Sequence, residues 1–248
     1  MKTPLMVFAA LAAGTSLCAQ SDNPRSSYSV TADFSYTSKY VFRGLQHTRD
    51  AFQSSIDFKA GDPQSGVFYA NVWNSEPFYR HEHDEVDFSS GYRWRLSDEL
   101  SAELLATYYW YPHANHGETR HATEGGVGVT YNGGRYLPTA TFYYYYDFDR
   151  QANTGVVSLG YGIPIADLGT SLDVNAYVGT SMANDAFPDS GSTVRESYNY
   201  YGADIELPYR ITTSAKVTVG AHWAANEKYL PGTPHNRFWV DVGVAIGF

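Results

Sequence analysis

Two stretches carry the side chains best suited to chemistry. Residues 80 to 85 read Arg80-His81-Glu82-His83-Asp84-Glu85, and a later polar stretch holds His113, His116, Glu118 and His121. Imidazole and carboxylate at this density could bind zinc or copper. The spacing does not sharpen into a site, because no cysteine accompanies these residues and no His-x-x-x-His helix pattern is present. A solvated loop is the simpler account, so His81, His83, His113 and His116 are weak metal candidates and no cofactor is expected. Nucleophilic chemistry has less support still, since no His-x-Ser triplet occurs in the chain.

The elements that would hold these residues are easiest to read at the C-terminus, RFWVDVGVAIGF. Phe238, Val240, Val242, Val244, Ile246 and Phe248 alternate with Trp239, Asp241, Gly243, Ala245 and Gly247. A strand of this kind shows one apolar face and one face tolerant of water. Similar alternation recurs in twelve segments, with outward stripes such as Phe52/Ile56/Phe58, Leu104/Ala106/Tyr108/Trp110, Phe142/Tyr144/Tyr146 and Val217/Val219/Ala221/Trp223. Each is about the length of a tilted membrane strand.

The connections divide into two kinds. Asp62-Pro63, Ser97-Asp98, Asn132-Gly133-Gly134, Ala166-Asp167 and Thr212-Thr213 are short and turn-like. Asn74–Glu85, Pro112–His121, Ser181–Ser197 and Ala225–Asn236 are longer and richer in charge. Short turns on one side and long loops on the other is the asymmetry of outer-membrane barrels. Aromatic residues gather at both ends of the outward stripes, as two interfacial girdles would require. A soluble sandwich would also use aromatics, but these stripes are too many and too uniformly apolar for one inner core.

Composition agrees. The chain has 22 Tyr, 13 Phe and 5 Trp, with a mean hydropathy of −0.37 and no long apolar run beyond its start. Residues 1–19 have the grammar of a secretory signal peptide, with Lys2 before an apolar stretch from Leu5 to Leu17. Thr15 stands where a lipoprotein signal usually has leucine, which argues against lipid attachment at Cys18. The expected mature domain is therefore residues 20–248. It keeps 16 Lys+Arg against 26 acidic residues and no thiol, which argues against a nucleic-acid partner. The fold expected is all-β: a transmembrane, antiparallel, up-and-down β-barrel of twelve strands in a bacterial outer membrane.

SKYVFRGLQ at 38 to 46, Gln53 to Asp57 and GVFYANVWNS at 66 to 75 resemble the opening of the TorF-type porins, the Gcw_chp conserved-hypothetical outer-membrane family. In that family the first strand ends in Y-x-F-R-G, which Tyr40, Phe42, Arg43 and Gly44 match. The resemblance implies an outer-membrane barrel with an inferred porin role. It supplies no catalytic residues. Gly44 would let the chain turn, and Arg43 would either pair with a loop carboxylate or carbonyl, or stand at the pore mouth and select anions.

The inward phase sets the functional expectation. Lys39, Arg43, Asp57, Lys59, Asp87, Arg93, Arg95, Glu103, Asp173, Asp204, Arg210, Lys216 and Asp241 are the expected pore-lining charges, with His222, Trp239 and several tyrosines among them. Arg93, Arg95, Arg210, Lys59 and Lys216 suggest a basic constriction in the lower half. The expected function is a passive, narrow diffusion channel for small polar solutes. The alternative is a plugged barrel that serves as a structural or surface ligand- or metal-binding protein. An enzyme is not expected, because no histidine falls in an outward stripe where lipid could reach it. The expected partners are outer-membrane lipid and lipopolysaccharide, small solutes, and the barrel-assembly machinery through Phe248. Calorimetric titration with zinc and copper is expected to give at most weak binding that a His81→Ala/His83→Ala variant loses, with the barrel still folded. Unchanged binding in that variant would remove the site.

Overall fold

The computed structural model describes residues 28–79, 84–114, 119–134, 136–183, 197–227 and 236–248. The proposed signal peptide and the start of the mature chain lie outside them. The strands are β1 (Tyr28–Thr37), β2 (Tyr40–Phe42), β3 (Leu45–Thr48), β4 (Ala51–Asp62), β5 (Gly66–Pro77), β6 (Glu85–Arg95) and β7 (Leu100–Trp110). They continue as β8 (His121–Tyr131), β9 (Thr139–Asp147), β10 (Ala152–Ile165), β11 (Thr170–Ala183), β12 (Ser197–Arg210), β13 (Ala215–Asn226) and β14 (Asn236–Gly247). All except β2 and β3 form one closed antiparallel barrel of twelve strands, sealed where β1 pairs with β14. The last residue takes part in the seal: Phe248 N donates to the Val30 carbonyl at 2.8 Å.

The alternation seen in sequence is the alternation of faces. Ile56, Leu104, Val127, Leu159, Val178 and Val240 all stand exposed on the outer wall. At the outer ends of the strands Tyr108, Trp110, Tyr144, Tyr201, Trp223 and Phe238 are exposed, and at the other ends Trp94, Tyr131, Tyr161, Tyr209 and Phe248 are. An apolar belt between aromatic girdles, on a closed barrel whose strands leave no free sheet edge, is the surface of a protein that spans the bacterial outer membrane.

The lower turns form where Asx and Ser/Thr turns can satisfy their own backbone. Asp62 Oδ1 accepts from Gln64 N at 2.9 Å, Asn132 Oδ1 accepts from Gly134 N at 2.9 Å, and Ser97 Oγ accepts from Leu100 N at 3.0 Å. One outer connection departs from the long-loop expectation. Residues 148–151 join β9 to β10 in a tight turn that Asp147 caps, its Oδ1 accepting from Asp149 N at 3.0 Å and Arg150 N at 2.8 Å.

The larger difference lies at the motif. The first barrel strand ends at Thr37, so Tyr40-Val41-Phe42-Arg43-Gly44 does not close that strand. It forms a separate hairpin of β2 and β3, in which Phe42 pairs directly with Leu45 across a two-residue turn. Both turn residues have positive φ, 43° at Arg43 and 75° at Gly44, as a type I′ turn requires. Leu159, mid-strand in β10 and exposed, gives a test of the lipid-facing wall. Leu159→Arg should destabilise the barrel by about 2–4 kcal/mol in denaturant-refolding titrations into lipid vesicles. An effect near zero would contradict the assignment of this face.

Candidate functional site

The hairpin is folded into the outer end of the barrel. Tyr40, Val41, Phe42 and Leu45 are all buried. Tyr40 and Phe42 pack with Tyr109, Tyr111, Ala114 and Ala122, while Val41 packs with Ala224 and Trp239 on the far wall. At the turn, Arg43 reaches β8, donating from Nη2 to Glu124 Oε1 at 2.9 Å and from Nη1 to Glu124 Oε2 at 3.0 Å. Nη1 also donates to Thr154 Oγ1 of β10 at 3.0 Å. The Arg43 guanidinium lies 4.9 Å from the Tyr145 ring centroid of β9 and 4.8 Å from that of Phe42. Burial by itself would lower the Arg43 pKa, but the Glu124 carboxylate overrides it and holds the group above the usual guanidinium range.

Gly44 completes the lock. Its carbonyl accepts from Asn226 Nδ2 at 2.8 Å and from Arg237 Nη1 at 2.5 Å. A Cβ here would stand 2.7 Å from Tyr200 Cβ and 3.1 Å from the Ala225 carbonyl, so no larger residue fits. The partner of Arg43 is thus a carboxylate of the barrel wall and not a loop group. Arg43 is 9% exposed and does not stand as a free charge at the mouth.

Below the hairpin the inward charges fall into pairs and small networks. Glu103 accepts from Arg93 Nε at 2.8 Å, Tyr69 Oη at 2.5 Å and Tyr143 Oη at 3.0 Å. Arg95 leaves the lumen for the turn beneath it, donating to Asp98 at 2.6 Å. Two of the five cations expected to form a lower basic constriction are therefore matched by carboxylates, while Lys59, Lys216 and Arg210 remain exposed. Asp57 accepts from Asn71 at 2.9 Å, and Asp173 accepts from Ser171 at 2.5 Å. His222 bridges Asp204, 2.9 Å from Nδ1, and Asp241, 2.6 Å from Nε2, and stacks on Trp239 at 5.1 Å. With both carboxylates ionised, both contacts are hydrogen bonds only if the ring carries both protons. Lys39 sits at the rim and donates to the Phe238 carbonyl, and Asp87 is buried beneath the hairpin.

The tyrosines lie flat. Tyr145 pairs across strands with Gly126, Tyr143 with Gly128, Tyr69 with Gly91, and Tyr200 with Gly179. A Cβ on Gly126 would come within 2.6 Å of Tyr145 Cδ1, so the absent side chain is what lets the ring rest on the wall.

Sequence reasoning missed Arg150 and Arg237, and read Glu85 only as part of a histidine-rich loop and not as an inward group of the wall. Glu85 and Arg237 share the inward phase of Asp87 and Trp239, so the alternation itself would have found them had the stripes been extended by one turn of the pleat. Arg150 sits in the β9–β10 turn and pairs with Asp147 at 3.0 Å. No periodicity signals that. Of the histidines, His81, His83 and His116 lie outside the described residues. His113 Nδ1 lies 2.8 Å from Asp84 Oδ2, and among the described residues no group of side chains is placed to hold a metal. His121 corrects the expectation that outward stripes lack histidine: it opens β8 and stacks on outward Tyr108 at 5.9 Å.

The family described as a bacterial protein of unknown function, Gcw_chp, matches residues 21–198. No curated protein matches the chain. Among solved structures, the KdgM porin is similar at 9% identity and a TM-score of 0.52, over 88% of this chain and 99% of that one. The NanC porin is similar at 9% identity and a TM-score of 0.55, over 88% and 98%. The COG4313 outer membrane channel from Pseudomonas putida F1 is similar at 11% identity and a TM-score of 0.53, over 89% and 95%. At these identities the likeness is one of fold.

The buried pair at the turn makes a specific demand. Glu124→Ala leaves a buried guanidinium without its counter-charge and should cost about 3–5 kcal/mol, whereas Arg43→Met/Glu124→Leu should recover most of that loss. Hydrogen exchange should quicken at residues 40 to 48 in the single variant, with β4 and β5 unaffected. Uniform quickening of all strands would mean that Glu124 supports the barrel and not the hairpin.

Proposed function

The chain belongs to the Gcw_chp family of bacterial proteins of unknown function, and from that premise we propose that it is a narrow, passive outer-membrane diffusion channel for small polar solutes, restricted at its outer mouth by the inward hairpin. One contrast carries the reading. Where the hairpin lies, inward polar groups are buried: Asp87, Glu124, Asp147 and Thr154 are each at most 3% exposed. Below it, Glu103 and His222 are buried, but Asp57, Asn71, Arg93, Tyr143, Asp173, Asn175, Asp204 and Asp241 are only half-buried. Charged groups in a packed interior carry a desolvation cost that a water-filled lumen avoids. A barrel of twelve strands falls between those that side chains can fill and those that hold a wide channel.

The lining suits small, hydrogen-bonding solutes. Carboxylates and amides face flat tyrosine rings, and Arg93 is matched by Glu103. A diffusion role asks for no catalytic group.

The plugged barrel remains the second reading, favoured by the hairpin's contacts with wall strands β7, β8, β9, β10, β12, β13 and β14. Planar-bilayer recording separates the two. Wild type should give small discrete steps, and Arg43→Gln/Glu124→Gln, which unlocks the turn without stranding a charge, should raise step conductance several-fold. Silence from both proteins, each correctly inserted, would leave the plugged barrel.

A further inference from the structure

Arg237 begins the inward phase of β14 and is 3% exposed. Its Nη1 is committed to the Gly44 carbonyl. Its Nε and Nη2 are buried and have no hydrogen-bond partner among the described residues. Asn226 Oδ1, whose amide nitrogen shares the same carbonyl, is also without a donor. The other buried arginines of the mouth are matched, Arg43 by Glu124 and Arg150 by Asp147. Arg237 has no ion pair of that kind among the described residues.

The identity of the two idle donors matters. Nε–H and the Nη2–H on the same side of the guanidinium are parallel and coplanar, and they form the edge that grips both oxygens of a carboxylate. A water molecule could satisfy one donor, but it could not supply the missing negative charge. A buried guanidinium without a counter-charge is costly, and an arriving carboxylate removes that cost.

We propose that Arg237 anchors a binding site for a small carboxylate-bearing solute at the outer mouth, and that occupation of the site loosens the inward hairpin. The coupling follows from the geometry. The guanidinium that would grip the carboxylate also holds the turn through Gly44, and its two idle donors are buried. The turn itself packs closely against Tyr200 and Ala225, so a carboxylate that draws the Arg237 guanidinium toward itself pulls on a tightly seated turn. The site goes beyond the channel reading and can stand without it.

Trp239, two residues along the same face and packed on Val41 of the hairpin, reports the movement. The full-length barrel, refolded in detergent, is titrated with sodium acetate, sodium phosphate and sodium chloride at constant ionic strength while tryptophan fluorescence is followed. A saturable response to acetate and none to chloride is expected. Arg237→Lys, which keeps the charge but loses the two-donor edge, should weaken acetate binding at least tenfold, and Arg237→Gln should abolish it. Heat-dependent mobility in detergent electrophoresis reports the folding of each variant, and if Arg237→Gln does not fold, Arg237→Lys decides. Unaltered affinity in Arg237→Lys, or no saturable response in wild type, overturns the site. Phosphate binding tighter than acetate overturns the carboxylate assignment. A silent bilayer with a saturable acetate response removes the channel and keeps the site; a conducting bilayer without that response does the reverse.

Discussion

A bilayer core has no water to satisfy a backbone amide, so a sheet can cross it only by having no edge. Everything else in this molecule depends on that closure. β1 is flanked by β4 on one side and β14 on the other, with Phe34 opposite both Ser54 and Val244. Once the ring is closed, the phase of each strand is fixed by its neighbours, because a slip of one residue would turn every outward side chain inward. The apolar belt, the girdles and the inward charges are therefore one property seen from two sides.

Closure also creates a difficulty, since a ring of this size encloses more space than its own side chains can fill. The molecule meets it differently at its two ends. Near the outer mouth a piece of chain is folded back inside and tied to the wall by buried charge. Lower down the wall is smoothed: the flat tyrosines opposite glycines occupy surface and not volume, and the carboxylates bond sideways to Asn71, Arg93, Ser171, Asn175 and His222. The two solutions place dry ions, most of them matched, above a lower wall where most carboxylates are only half-buried.

The barrel was legible in the sequence because its rules are local and repeated. Period-two alternation in stripes such as Phe142/Tyr144/Tyr146, and turn signals such as Asn132-Gly133-Gly134, recur around the ring. The hairpin was not legible for the opposite reason. Tyr40-Val41-Phe42 is too short to show a period, and it continues the apolar character of β1, so it reads as the end of that strand. What places it inside is a set of partners far along the chain: Glu124, Thr154, Tyr200 and Arg237. Likewise the sequence put Arg93 and Glu103 on the same inward phase without saying that they meet, because pairing depends on the β6–β7 register, in which they stand directly opposite.

Arg43 shows how local and distant demands are reconciled. A left-handed conformation costs a residue with a Cβ about 1–2 kcal/mol, so by turn preference alone glycine or asparagine would suit its position better. Neither could reach Glu124. The guanidinium offsets the local cost through two bonds to a carboxylate that the chain supplies 81 residues later, and one to a hydroxyl 111 residues later. Those partners come side by side on the inner wall only when β8, β9 and β10 have paired. The turn is thus locally unfavourable and globally favoured, since the partners that hold it belong to distant strands of the closed wall. Because β2 and β3 pair only with each other, the hairpin can shift without breaking a rung of the ring.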